Sequence, residues 1–183
     1  MTDKEILQNI EKYNWYHEIK LKDGISTKAI DAFEVDGKYK TYSSSKDHWN
    51  QRNVFSVLDK IDFKNKKVLD IGCGSGRFTI AFARLGPKKV YGVDLGDQGL
   101  KVGRKLCKKF KLKNATFKKS SVLSLPFRNS YFDFVFCKGV LHHTGKLKKS
   151  LNEFVRLIKK NGHGFLYLYG SGGIFWYSRK KMR

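Results

Sequence analysis

A glycine-rich segment that follows a carboxylate is the part of the sequence best suited to chemistry. It reads Asp70-Ile71-Gly72-Cys73-Gly74-Ser75-Gly76 and stands between a short apolar run, 68–71, and an amphipathic segment, 77–84. Glycines at a strand-to-helix junction allow a tight turn and let a ligand lie directly against the backbone. We therefore expect a ligand-binding loop at the carboxyl edge of a sheet.

A second carboxylate, Asp94, ends the next apolar run and lies eighteen positions after Gly76. An acidic side chain at the end of the second strand can accept hydrogen bonds from both hydroxyls of a ribose. Together, the glycine-rich loop and the Asp94 carboxylate predict a cofactor that contains a nucleoside.

The spacing of the glycines distinguishes between cofactors. Gly72, Gly74 and Gly76 form GxGxG, whereas the dinucleotide fingerprint needs its third glycine one position later, where Arg77 stands. Asp70 would repel a pyrophosphate but attract an ammonium group. The pattern favours an aminoacyl nucleoside, and a nicotinamide dehydrogenase is the less favoured alternative.

The elements that position this site are predicted from residue 67 onward. The strands are expected at 68–71, 90–94, 115–117, 132–136 and 164–168, with helices around 78–85, 100–110 and 147–158. Such alternation predicts βαβ units with right-handed crossovers and a mostly parallel sheet, hence an α/β fold. Residues 1–60 are predicted to form a small N-terminal α/β cap, with a helix near the start, a strand at 15–22 and a helix after Ser45. Residues 61–183 are predicted to form the cofactor-binding domain.

Composition excludes several classes of protein. The chain of 183 residues is 40% hydrophobic and 14% aromatic, with a net charge of +22; this can bury a core, unlike a disordered polybasic chain. Cys73, Cys107 and Cys137 form no CxxC pair, which argues against a disulfide framework and a metal site and favours a reducing cytoplasm. The first five residues lack the apolar run of a signal peptide, so we expect no secretion. Residues 161–178 contain too many glycines to span a bilayer, so we expect no membrane span.

A basic window leaves two interpretations open. Residues 101–132 contain no Asp or Glu but ten Lys and Arg. Such density attracts phosphate backbones, so one interpretation is a surface that binds nucleic acid. Lys101, Arg104, Lys105 and Lys108 also repeat at helical spacing, as on the solvated face of an amphipathic helix.

These residues resemble the class I S-adenosylmethionine-dependent methyltransferases. The similar segments are 68–76, Val93-Asp94, Leu125-Pro126-Phe127, Tyr131-Phe132-Asp133, Lys138-Gly139-Val140-Leu141-His142-His143 and 157–164. The resemblance covers residues 67 to about 170. It implies a three-layer α/β/α Rossmann-like sheet with strand order 3-2-1-4-5, and S-adenosylmethionine as cofactor. The family's sheet has seven strands and only five are found here, so we expect a C-terminally incomplete domain that is weakly stable or oligomeric.

The resemblance also implies a cofactor site. Its residues are Asp70, Gly72, Cys73, Gly74, Gly76, Asp94, Leu95, Ser121, Val122, Lys138 and Gly139. Asp70 and the first two glycines of the loop would hold the methionine part, Asp94 the ribose and Leu95 one face of the adenine. Lys138 and Gly139 would lie beneath the methionine end. Ser121 stands where the family often has an acidic residue that contacts the adenine amino group.

The acceptor of the methyl group is left open. His142 and His143 are candidate catalytic bases at the mouth of the sheet, or else turn histidines bonded to backbone. No Asp/Asn-Pro-Pro-aromatic segment follows the fourth strand, which disfavours amide and adenine-amino acceptors, and Cys137 lacks the preceding proline of the cytosine-carbon branch. A small-molecule, lipid-like or RNA acceptor remains.

Three functions are compatible with this pattern. The first is a methyltransferase for a small molecule or RNA. The second is a (carboxy)methyltransferase that modifies transfer RNA, since Trp15-Tyr16-His17 is similar to a segment of the enzymes acting on wobble uridine. The third is a non-catalytic module that binds S-adenosylmethionine.

Overall fold

The structure is a computed structural model that describes residues 61–168. The predicted cap, 1–60, with its two helices and one strand, lies outside the described residues, as does the segment after 168. The predicted division at residue 60 therefore stays a prediction.

Strands and helices alternate throughout residues 61–168. The elements are β1 (Lys67–Ile71), α1 (Arg77–Arg84), β2 (Lys89–Asp94), α2 (Asp97–Lys109), β3 (Ala115–Lys119), β4 (Phe132–Lys138), a short 3₁₀ helix (Leu141–His143), α3 (Leu147–Leu157) and β5 (Ile158–Tyr167). The sheet has the order β3-β2-β1-β4-β5, and all four neighbouring pairs are parallel. The predicted α/β fold and strand order are confirmed.

Alternate residues of each central strand face opposite layers of helices. Val68 of β1 packs with Phe82 of α1, whereas the next residue, Leu69, packs with Phe154 and Leu157 of α3. Both layers exclude water from the strands, which explains why β1 and β4 are almost continuously apolar. The three-layer arrangement leaves only the strand ends and their loops open to a ligand.

The fifth strand differs from its prediction. We expected a strand at 164–168, but β5 begins at Ile158, directly after α3. Ile158 pairs with Phe132 and His163 with Phe134, so the chain bulges between these two pairs. The Asn-Gly sequence at 161–162 lies within this bulge, and a bulge is invisible to a strict two-residue period.

The three cysteines are buried free thiols. Burial raises the pKa of Cys107 to about 11, and it also raises the pKa of Cys73 and Cys137. Within residues 61–168 no helix has the length and apolar character needed to cross a membrane, and no three His, Cys, Asp or Glu side chains of this range are grouped to hold a metal ion.

Candidate functional site

The glycine loop after β1 is shaped by close contacts that exclude a side chain. Gly72 has φ +70° and Gly76, which precedes α1, has φ +84°, both in the left-handed region that glycine tolerates best. A Cβ at Gly72 would overlap the side chain of Val140, and one at Gly76 would overlap the ring of Phe117. The loop therefore presents bare backbone at the carboxyl edge of the sheet.

Asp94 joins this loop to the end of β2. The N–H of Gly74 donates to Oδ2 over 2.8 Å, and the N–H of Gly96 donates to Oδ1 over 2.8 Å. The half-buried carboxylate is held in one orientation by these two amides. Each oxygen accepts one bond here, so a second acceptor position on each remains for a ligand hydroxyl.

Asp70, at the end of β1, is a buried carboxyl beneath the loop. It is 2% exposed, and Thr79 of α1 donates its hydroxyl proton to Oδ2 over 2.6 Å. Burial raises the pKa of Asp70 to about 7, opposed by the bond from Thr79 and supported by the negative charge of Asp94. A cation bound nearby would favour the ionised form.

The loop after β3 meets the same edge. The N–H of Ser120 donates to the carbonyl of Asp94 over 2.9 Å, and the hydroxyl of Ser121 accepts the N–H of Leu123 over 3.2 Å. Ser121 thus has its hydroxyl proton available to donate. The Val122 side chain is only 8% exposed and packs in the core on the α3 side.

Cationic side chains at the end of β4 and at the start of α1 lie near the loop after β4. Gly139 has φ +75°, and its N–H donates to the carbonyl of Tyr167 over 2.9 Å. The Lys138 ammonium lies 5.5 Å from the centre of the Phe78 ring, and the Arg77 guanidinium carbon lies 5.7 Å from the same ring. Two cations therefore flank one aromatic ring beside the glycine loop.

His142 and His143 form the 3₁₀ helix that follows. Their ring centres are 4.1 Å apart. Burial lowers the pKa of both imidazoles, and repulsion from His143 lowers the pKa of His142 further. Both rings are therefore mainly neutral at pH 7, the form that accepts a proton. Their predicted catalytic role stays a prediction.

The structure brings together most of the residues predicted from the sequence. Loops after β1, β2, β3 and β4 are joined at one edge by the contacts of Gly72 with Val140, Gly74 with Asp94, and Ser120 with Asp94. Half-buried Leu95 lies between β2 and α2 at this edge. Cys73 differs, because its side chain packs inward with Ile80 and Leu100 and only its backbone belongs to the loop.

Two residues of the site were not predicted. Thr79 bonds to Asp70, and Val140 covers Gly72. A signal existed for Thr79, since it is the one hydroxyl residue on the apolar side of α1, and a buried hydroxyl needs a partner. Val140 gave no signal, because its role depends on the distance between two loops.

Comparisons with known proteins agree with this fold. Residues 62–167, more than half of the chain, match the family of methyltransferase domains. The architecture of the sheet and the glycine loop after β1 define the fold of a class I S-adenosylmethionine-dependent methyltransferase. The chain belongs to this family.

Similar proteins differ in their named substrates. The tRNA U34 carboxymethyltransferase of Campylobacter hominis is 32% identical over 64% of this chain and 41% of its own length. The demethylmenaquinone methyltransferase of Geobacillus stearothermophilus is 37% identical over 54% of this chain and 43% of its own. The crystal structure of the YcgJ protein from Bacillus subtilis superposes with a TM-score of 0.56 at 26% identity, covering 63% of this chain and 48% of that one. The matched part of this chain spans less than half the length of the curated relatives.

Proposed function

We propose that this chain binds S-adenosylmethionine and transfers its methyl group to an acceptor. The observation that carries the proposal is the Asp94 carboxylate, which the N–H groups of Gly74 and Gly96 orient at the edge of the sheet. A fixed carboxylate beside a bare glycine loop fits the ribose hydroxyls and the methionine part of this cofactor. The proposed binding residues are those assigned above by resemblance.

The buried Asp70 supports the same assignment. S-adenosylmethionine, when bound, supplies a methyl group activated by a positively charged sulfonium. Its ammonium and sulfonium charges fit a carboxyl that is buried and whose pKa is raised to about 7. We infer that Asp70 acts as the counter-charge, while Gly72 and Gly139 hold the methionine end through their backbone.

Methyl transfer places few demands on side chains, because it is an in-line displacement that depends on alignment and exclusion of water. We propose that the loops after β1 and β4 align the donor. Neutral His142 or His143 would accept a proton where the acceptor is a hydroxyl or an amine. The lowered pKa of both imidazoles supports this role at neutral pH.

The substrate class stays open between a small molecule and RNA. One similar protein is named for tRNA and another for demethylmenaquinone, so similarity supports either acceptor. The chain's cysteines are buried free thiols, which supports our proposal that it works in the cytoplasm.

Calorimetric titration with S-adenosylmethionine and S-adenosylhomocysteine tests the proposal. The intact chain should bind both, and Asp94→Asn should weaken binding about 10- to 100-fold, because an amide nitrogen cannot accept the ribose or loop hydrogen bonds. Asp97→Asn is the matched control, since Asp97 lies exposed at the same edge and pairs with Lys119. No binding by the intact chain, or equal loss in both variants, would refute the cofactor assignment.

The alternative, a binding module without catalysis, is tested by turnover. We would incubate the chain with S-adenosylmethionine and either an RNA fraction or a small-molecule extract, and measure formation of S-adenosylhomocysteine. Product that depends on the extract and on Asp94 supports a methyltransferase. Tight cofactor binding without product in any fraction supports the module.

A further inference from the structure

Exposed basic residues line α2 and the end of β3, and we call this surface the α2 face. It consists of exposed Lys101, Arg104, Lys105 and Lys108 of α2 together with exposed Lys119 of β3. The opposite side of α2 is buried against the sheet. The packing of the helix thus turns all four of its named cations outward.

Within residues 61–168, the carboxylates are too few to balance the positive charge of this region. Residues 61–168 contain 24 Lys and Arg against six Asp and Glu, whereas residues 1–60 contain ten of each. Asp97 is the one carboxylate on α2, and it pairs with Lys119 over 2.7 Å. Asp94 accepts from Gly96 at the start of α2, whereas the other four bond to groups away from α2: Asp62, Asp70, Asp133 and Glu153. In the part of the chain that the structure describes, α2 therefore carries five cations, Lys109 included, and a single carboxylate, which is itself paired.

One end of the α2 face reaches the proposed site. Lys101 lies near the start of α2, close after Asp94, and Lys119 ends β3, where the next residue donates its N–H to the Asp94 carbonyl. Lys108 lies at the other end of α2. A helix of 13 residues is about 20 Å long, a length along which a nucleic-acid strand carries about six phosphates.

The surface lacks the apolar groups that a membrane-binding helix inserts. The exposed large hydrophobic residues of the described range are Leu147 and Val155. Both belong to α3, which packs on the opposite face of the sheet. Helices that lie on membranes combine a basic side with an exposed apolar side, and the apolar side of α2 is buried.

We propose that the α2 face binds the phosphate backbone of an RNA substrate and directs an unpaired nucleotide toward the Asp94 edge. Unpaired loops of RNA expose bases that an enzyme can reach, which suits a site at the end of a phosphate-binding surface. The inference rests on the proposed function, since it names the acceptor class of the same site.

The side chain of Arg104 has a structural bond as well, because its guanidinium donates to the carbonyl of Phe117 over 3.1 Å. We therefore leave Arg104 unchanged in the test. The variant Lys101→Gln/Lys105→Gln/Lys108→Gln removes three charges from the α2 face.

The matched control is Lys148→Gln/Lys149→Gln/Lys160→Gln. It removes three exposed charges from α3 and β5, away from the α2 face. Both variants have the same net charge, so a difference between them reports position and not charge.

The experiment measures binding of the full chain to a fluorescent RNA hairpin of about 20 nucleotides by anisotropy over a range of salt concentrations. The α2-face variant should lose at least about tenfold in affinity, with a salt slope smaller by about 2 to 3, while the control stays within about twofold of the parent. Phosphatidylserine vesicles should not compete with the RNA.

Equal losses in the two variants would overturn the proposal, because binding would then follow net charge alone. Competition by vesicles would point to a membrane instead and would also overturn it. Calorimetry with S-adenosylhomocysteine on the same variants tests cofactor binding separately from RNA binding. Retained cofactor binding without RNA binding rejects only the RNA surface, and RNA binding without cofactor binding rejects only the proposed function.

Discussion

The hydroxyl of Thr79 on α1 donates a hydrogen bond to the carboxyl of Asp70 at the end of β1, with 2.6 Å between Oγ1 and Oδ2. Both side chains are buried, so each provides the polar partner that the other requires. The bond joins the first strand to the first helix directly beneath the glycine loop. Burial nevertheless raises the pKa of Asp70 to about 7.

This raised pKa predicts that cofactor binding depends on pH. Asp70 is protonated below its pKa and ionised above it, and the ionised form attracts the positively charged cofactor. The affinity for S-adenosylmethionine should therefore rise by up to about tenfold per unit as pH approaches 7 from below, and level off above about pH 8. Calorimetry at several pH values measures the profile.

Thr79→Val provides the test of the cause. It removes the bond that lowers the pKa of Asp70, so the binding profile should move to higher pH. Thr79→Ser keeps the hydroxyl and should keep the profile of the parent. A profile that is flat in the parent, or identical in the valine variant, would contradict this account.

Gly72→Ala should destabilise the domain more than Gly86→Ala. Both positions have positive φ, +70° and +77°, which costs about 1–2 kcal/mol for an alanine. A Cβ at Gly86 meets nothing within 4 Å, whereas one at Gly72 must displace Val140. Urea unfolding measures both losses, and Val140→Ala should recover part of the loss in Gly72→Ala. Equal losses for the two alanine variants would show that the contact with Val140 is unimportant.

Arg156 of α3 should stabilise the segment that leads into β4. Its guanidinium donates to the carbonyls of Phe127 and Leu125 over 2.7 and 3.1 Å, and it pairs with Glu153. A lysine lacks the forked geometry, so Arg156→Lys should lower the free energy of unfolding by about 2 kcal/mol. Chemical denaturation checks this, with Lys149→Gln as a control on the exposed side of the same helix. A lysine variant as stable as the parent would argue that charge alone is sufficient.

His142 and His143 should titrate as an interacting pair. Burial lowers the pKa of both, and their ring centres are 4.1 Å apart, so the two positive charges repel each other. NMR titration should place both pKa values below the ordinary 6.5. Because repulsion from His143 contributes to the lowered pKa of His142, replacing His143 by glutamine should raise the pKa of His142. An unchanged pKa of His142 in this variant would mean that burial alone lowers it.

Much of the fold could be predicted because its signals are local. The apolar runs located β1 and β2 to within one residue, and the glycine spacing located the loop between β1 and α1. The start of β5 was missed, since pairing of Ile158 with Phe132 depends on a bulge that brings distant residues into register. Local periodicity carries no information about such a partner.

In the candidate site, too, local sequence signals predicted some features and the tertiary structure decided others. Its carboxylates and glycines were predicted by residue type and spacing, whereas the inward side chains of Cys73 and Val122 follow from how the loops pack against the helices. The bonds from Arg156 to the segment before β4 were not predicted, because two of their acceptors are backbone carbonyls, which every residue has.

The sequence by itself determined the α/β class, the strand order through family resemblance, and the edge at which a ligand would lie, because these depend on periodicity and on motif spacing. Only the tertiary structure decided that Gly74 bonds to Asp94, that Thr79 bonds to Asp70 and that Val140 closes over Gly72. Those contacts join residues on different elements. They form only after the parallel strands have taken their register and aligned their carboxyl ends.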